Sequence, residues 1–162
     1  MKNLAAVILL FIGVFGLPKM DFIPALPDKP SPVIGIDEPS AEMKKMVESI
    51  AGIMRRADHV DRALWAQVWS KAARAVELDG SDGATIWGDT AKLRQFTSTA
   101  LRISWRRIKG NEKNKYAGLN EAVESAFANA LSIRQQPVDA ALRAKYVELC
   151  RAVAWAGVGR DQ

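Results

Sequence analysis

From Ser40 to Gly159 the apolar residues fall at spacings of three and four, the repeat of one face of an α-helix. Met43, Met46, Val47, Ile50, Ile53 and Met54 make the first stripe. Ser40 is placed to cap that helix and Glu42 sits in its first turn. Arg55 and Arg56 stand at its end, where the helix dipole favours cations. A second stripe, Val60, Leu64, Trp65, Val68, Trp69, Ala72, Ala73 and Val76, is wide enough for a central helix. Asp58 is placed to cap it, with Asp61 in its first turn, and Asp79-Gly80 to end it.

Asp89 or Thr90 then predicts the start of a third helix, with Leu93, Phe96, Thr97, Ala100, Leu101, Ser104, Trp105 and Ile108 facing in and Gly110-Asn111 as its stop. Leu119, Val123, Ala126, Phe127, Ala130 and Leu131 line a fourth helix. Pro137 breaks that pattern and starts a fifth, with Val138, Leu142, Tyr146, Leu149, Val153 and Ala156 inside and Gly157 and Gly159 ending it. Alanines flank the apolar rows of the last two helices, so their axes can approach closely. No stretch alternates β-branched residues as a strand would. The fold class predicted is all-α: a compact bundle of about five helices over residues 40–159.

The chain ahead of this body has no such periodicity. Fourteen apolar residues run from Leu4 to Leu17, with Lys2 before them and Pro18-Lys19 after. As a helix this run is roughly 21 Å long, short for a hydrocarbon layer of about 30 Å. It fits the hydrophobic stretch of a secretory signal, roughly 7–15 residues behind a positive charge. Val14-Phe15-Gly16 offers acceptable residues for cleavage, but Pro18 lies just beyond, so residues 1–17 read as a signal peptide or a retained signal-anchor. No cysteine follows the run to carry a lipid. Six of the seven prolines lie between Pro18 and Pro39. That composition excludes a helix and predicts an extended linker over 18–39.

This layout places the helical body outside the cytoplasm, in the periplasm or cell envelope, secreted or anchored in the inner membrane through residues 4–17. The single cysteine, Cys150, makes no internal bridge, and its place beside Leu149 in a helical pattern reads as a buried thiol.

Charge changes the picture at one place. The 162-residue chain carries a net +5, yet residues 92–115 alone hold eight basic side chains and one acidic. The other segments are each within one charge of neutral. Arg102, Arg106 and Lys109 share a helix face, Lys113 would extend that line only if the helix ran on past Gly110, and Arg107 and Lys115 are near. Such a stripe suits an anionic surface: lipid headgroups, a polyanion or an acidic protein. Nucleic acid is a poor partner if the protein is exported. The solvated alternative is a face that simply keeps the protein soluble. Arg143 and Lys145, in a charge-balanced stretch, read as ordinary surface cations.

Little else suggests chemistry. One histidine, His59, and one cysteine cannot build a metal site by themselves, and His59 beside Asp58 and Asp61 reads as a helix-start residue. The stretch LDGSDGATIWGDT fits no calcium-loop register: with Gly83 at the glycine position the first ligand would be Leu78, and with Asp79 first the glycine and glutamate positions fall on Ala84 and Thr90, so it reads as a surface loop with Trp87 turned toward the core. No phosphate loop, dinucleotide fingerprint or nucleophile elbow occurs. No catalytic residue and no cofactor are predicted. An envelope hydrolase would need a cleft where two carboxylates converge. Trp65 and Trp69 could stack on a ligand but sit among Leu64 and Val68, which favours packing. The expectation is a non-enzymatic interaction or structural module of the envelope, with an unknown protein partner or an anionic surface.

Overall fold

The structure, a computed structural model, describes residues 36–57, 60–79, 88–104, 117–131 and 137–158. Six helices lie among them: α1 (Ala41–Met46), α2 (Glu48–Arg55), α3 (Arg62–Leu78), α4 (Thr90–Ser104), α5 (Ala117–Leu131) and α6 (Ala140–Val158). The described part is all-α, a compact bundle. A lone bridge between Asp89 and Pro137 ties the start of α4 to the approach to α6.

The expected first helix is divided in two. At Val47 the backbone leaves helical geometry (φ −103°, ψ 8°). Hydrogen bonds still carry across the break, from Val47 N to Met43 O and from Ala51 N to Val47 O. The inner face survives: Met43, Val47, Ile50 and Met54 are buried, while Met46 and Ile53 pack half-buried against the core. Ser40 caps α1 by accepting from Met43 N at 3.3 Å.

The second expected helix begins later than Asp58, which lies outside the described residues. Asp61 is the cap: its Oδ1 accepts from Leu64 N at 2.8 Å. An acidic side chain there satisfies one of the free N–H groups of the first turn. Asp89 does the same for α4, accepting from Lys92 N at 2.8 Å. Asp139 does so for α6, accepting from Leu142 N at 2.7 Å, so that helix begins at Ala140, three residues past Pro137. Its end differs too. Gly157 lies inside α6, buried, and the helix runs on to Val158.

Contacts far apart in sequence set the topology. Trp65 meets Val153, and Asp79 meets Arg143, so α3 and α6 are antiparallel. Val138 N donates to Gly88 O ahead of the two helices and Thr97 meets Tyr146 farther along both, so α4 runs parallel to α6 across the bundle. Helix α5 starts beside Ile53 of α2 and returns the chain toward Pro137, closing an up-down-up-down arrangement. The α3–α6 pair has the most extensive contact. Small residues permit it: Ala66, Ala72, Ala73, Ala152, Ala154, Ala156 and Gly157 are all buried.

Aromatic rings fill the centre. Trp65 and Trp69 lie 5.8 Å apart, Trp69 stacks on Phe127 at 5.5 Å, and Phe127 meets Tyr146 at 5.1 Å. Spacings of 4.5–7 Å with offset or tilted planes are the favourable geometry for such rings. Helices α1 and α2 lie against α6, and α2 also against α5.

Candidate functional site

The predicted basic site is only partly within view. Arg102 lies on the last turn of α4 and is exposed. Arg106, Arg107, Lys109, Lys113 and Lys115 lie outside the described residues, as do His59 and Trp87. The same holds for the apolar run 4–17. Among the described residues no helix is long and apolar enough to cross a membrane. Ile36, near the end of the proline-rich stretch, packs against the core, while Asp37 and Glu38 after it are exposed.

Trp65 and Trp69 form no ligand platform. Both are fully buried, and the Trp65 indole N–H donates to Val153 O at 2.8 Å. Cys150 is also fully buried. Burial pushes its thiol well above the ordinary range, so it holds its proton and is a poor nucleophile. Burial likewise raises the hydroxyl of Tyr146, which is also fully buried. Thr97 hydroxyl donates back to Leu93 O at 2.9 Å, which leaves its oxygen to accept from Tyr146 at 2.8 Å. This chain of polar groups is internally satisfied and closed to solvent.

The structure brings together one charged cluster that the sequence did not indicate. A groove of about 510 Å³ runs between the end of α3 and the start of α6, lined by Glu77, Asp79, Arg143, Val147, Glu148 and Arg151 among others. Arg143 is not a free surface cation. Its guanidinium reaches the Asp79 carbonyl and, at 3.2 Å, the Asp79 carboxylate, whose side chain is 1% exposed. Glu77 accepts from Arg151 at 2.8 Å and from Arg74 at 3.1 Å. Those bonds, with Arg151 the stronger influence, hold the Glu77 carboxyl below the usual carboxylate range.

A carboxyl held ionised in this way does not donate a proton near neutral pH. Glu77 and Asp79 do lie on one groove, yet each faces a guanidinium instead of an open reacting position. The arrangement suits a polar clamp between two helix ends better than acid–base chemistry. Its members were hidden from sequence reasoning because the partners are 64 and 74 residues apart. Among the described residues no group of three metal-ligating side chains converges.

No family model matches this chain, and neither a curated protein nor a solved structure does.

Proposed function

We propose that the protein is a small helical interaction module of the cell envelope, exported or anchored by residues 4–17, with no catalytic activity of its own. The observation that carries this reading is the fourteen-residue apolar run behind Lys2, followed by six prolines in 22 residues and then a helical body. A run without a polar face is costly to leave in water and suits a membrane or the export machinery. The proline-rich stretch suits a spacer between that segment and the folded body. The buried, satisfied character of Cys150, Tyr146 and Trp65 assigns these side chains to structure and so is consistent with the reading.

A fusion of residues 1–40 to a reporter active only outside the cytoplasm tests it. Signal is expected from the natural sequence. Leu9→Arg with Ile12→Arg should abolish it, since each charge costs about 2.5–3.5 kcal/mol at the centre of a membrane helix. Activity confined to the cytoplasm, with Met1 retained, would sink the proposal. Intact mass of the exported protein separates its two forms. Loss of roughly the first 16–25 residues indicates cleavage, and retention of Met1 in a carbonate-resistant membrane fraction indicates an anchor.

A second reading rests on the charge excess of residues 92–115: a binder of anionic lipid, polyanion or nucleic acid through Arg102, Arg106, Arg107, Lys109, Lys113 and Lys115. The exposure of Arg102 favours it. Binding that weakens steeply with salt is its signature.

A further inference from the structure

Among the described arginines, most are held. Arg74 and Arg151 bind Glu77, Arg143 binds Asp79, Arg62 donates to Met54 O at 3.0 Å, and Arg94 is engaged as well. Arg55, Arg56 and Arg102 are exposed, and none of the three has a partner among the described residues. They come from two separate helices, yet they lie at one end of the bundle.

Three contacts establish this. The Arg62–Met54 bond puts the end of α2 beside the start of α3. Ile53 of α2 lies against Gly118, where a side-chain carbon would be 3.8 Å from Ile53 Cδ1, so the end of α2 is also beside the start of α5. Helix α4 runs antiparallel to α3, so Arg102 on its last turn is at that end too.

Of the described acidic residues near this end, Asp61 is occupied at the N-terminus of α3, Glu38 pairs with Lys44, and Asp37 and Glu121 are exposed. The chain also enters the bundle at this end. Ile36 is docked on the core, and Lys44 lies 5.7 Å over the ring of Trp155, close to the end of α6.

We infer that Arg55, Arg56 and Arg102 form one basic pole that faces an anionic phospholipid surface. The inference rests on the proposal that residues 4–17 deliver the protein to a membrane. A tether that enters at the basic end, reaching at most roughly 55 Å over its 18 residues, lets that end touch the membrane to which the run is bound, and the charge then sets which face meets it. Unpaired exposed guanidiniums give up no salt bridge on meeting phosphate and present a fork of donors to it. A half-buried tryptophan beside a lysine suits the same interface, one end apolar and the other wet.

The test uses the full-length chain with vesicles of phosphatidylglycerol and of phosphatidylcholine. Insertion of the apolar run contributes to both, so the ratio of the two affinities reads the pole. The natural protein should favour phosphatidylglycerol, and the preference should shrink as salt shortens the screening length from about 10 Å at 0.1 M to about 3 Å at 1 M. Arg55→Gln, Arg56→Gln and Arg102→Gln together should lower the preference by roughly ten- to a hundredfold, since each basic residue near such a surface contributes on the order of fivefold. The corresponding Lys variant should retain it. Both should keep the natural helical signal and melting temperature, because the three side chains hold nothing.

An unchanged preference in the Gln variant overturns the inference. So does loss of heparin or duplex DNA binding with the lipid preference intact, which assigns the pole to a polyanion. The outcome is separable from the export proposal. A cytoplasmic reporter result with an intact lipid preference sinks only the latter, and exported protein without the preference sinks only the pole.

Discussion

The indole of Trp65 occupies the space that a side chain at Gly157 would need. A Cβ at Gly157 would lie 2.0 Å from Trp65 Cδ1 and 2.5 Å from Nε1. The same indole is fixed by its bond to Val153 O, one turn earlier on α6. The ring is fully buried, so it has nowhere to retreat.

Gly157→Ala is therefore expected to destabilise the protein, although alanine is the better helix former by about 1 kcal/mol. Overpacking costs about 1–3 kcal/mol and displacement of the indole forfeits a hydrogen bond of roughly 1 kcal/mol. The clash should win, with a net loss of about 1–3 kcal/mol in urea unfolding. Gly52→Ala is the control. The nearest foreign atom to its Cβ is Arg55 Nη2 at 3.9 Å, so it should stabilise by about 0.5–1 kcal/mol. Equal effects at the two glycines would show that the contact with Trp65 is not limiting.

The two core tryptophans should differ. Trp65 has an acceptor for its N–H, whereas the buried Trp69 Nε1 has none. Phenylalanine removes similar volume at both sites. At Trp69 it also removes a desolvated donor, a group whose burial costs about 1–3 kcal/mol. Trp69→Phe is thus expected to be milder than Trp65→Phe by roughly 1–2 kcal/mol, measured as the difference in unfolding free energy. The reverse order would mean that the Trp69 N–H is satisfied in solution.

These same residues show what a sequence can and cannot reveal. Inner faces were legible because periodicity is local: Leu93, Phe96, Ala100 and Leu101 on α4, and Leu119, Val123 and Phe127 on α5, are all buried. Caps were legible where a short polar side chain stands just ahead of an apolar stripe, as at Ser40 and Asp89. Partners were not. The pairs Thr97–Tyr146 and Asp79–Arg143 are 49 and 64 residues apart, and a stripe gives a face without naming what meets it. Gly157 was misleading for the same reason. Glycine near a helix end ordinarily stops the helix, but here it makes room for a ring from another helix and the helix continues. The excess of basic residues over 92–115 was visible as a run of charges, whereas the position of Arg55 and Arg56 at the same end of the bundle as Arg102 needed the fold.

Alkaline pH should loosen the core. Cys150 and Tyr146 ordinarily titrate near 9.0 and 10.0, and burial raises both in the folded protein. Above those values the unfolded chain releases protons that the folded chain keeps. Folding then binds more protons than unfolding, so stability falls as pH rises, by at most about 1.4 kcal/mol per pH unit for each group. Urea midpoints should be flat near pH 8 and drop from about pH 9 upward. Cys150→Ala should make the drop shallower. A thiol reagent at pH 8 should label Cys150 no faster than the protein opens. Rapid stoichiometric labelling of the native protein would contradict the buried, protonated thiol.

The ion pairs should separate by burial. Asp79 is 1% and Arg143 17% exposed, whereas Glu77 and Arg151 are 38% and 51% exposed. Water screens the exposed pair and side-chain ordering opposes it, so its coupling should lie between about 0 and 1 kcal/mol. The Asp79 carboxylate has little water to fall back on. Asp79→Ala leaves Arg143 without its carboxylate beside the helix end, and a hydrogen bond to a charged group contributes about 1.5–3 kcal/mol. A double-mutant cycle over Asp79→Ala and Arg143→Ala should give a coupling in that range, against less than about 1 kcal/mol for Glu77→Ala with Arg151→Ala. The two pairs line the same groove, so the comparison holds the surroundings nearly constant. Lowering the pH adds a second reading. Glu77 titrates below its ordinary value when folded, so its share of stability is present above about pH 4.5 and fades as pH falls through the lowered value. Equal couplings for both pairs, unaffected by acid, would show that the groove is a solvated rim instead of a clamp joining α3 to α6.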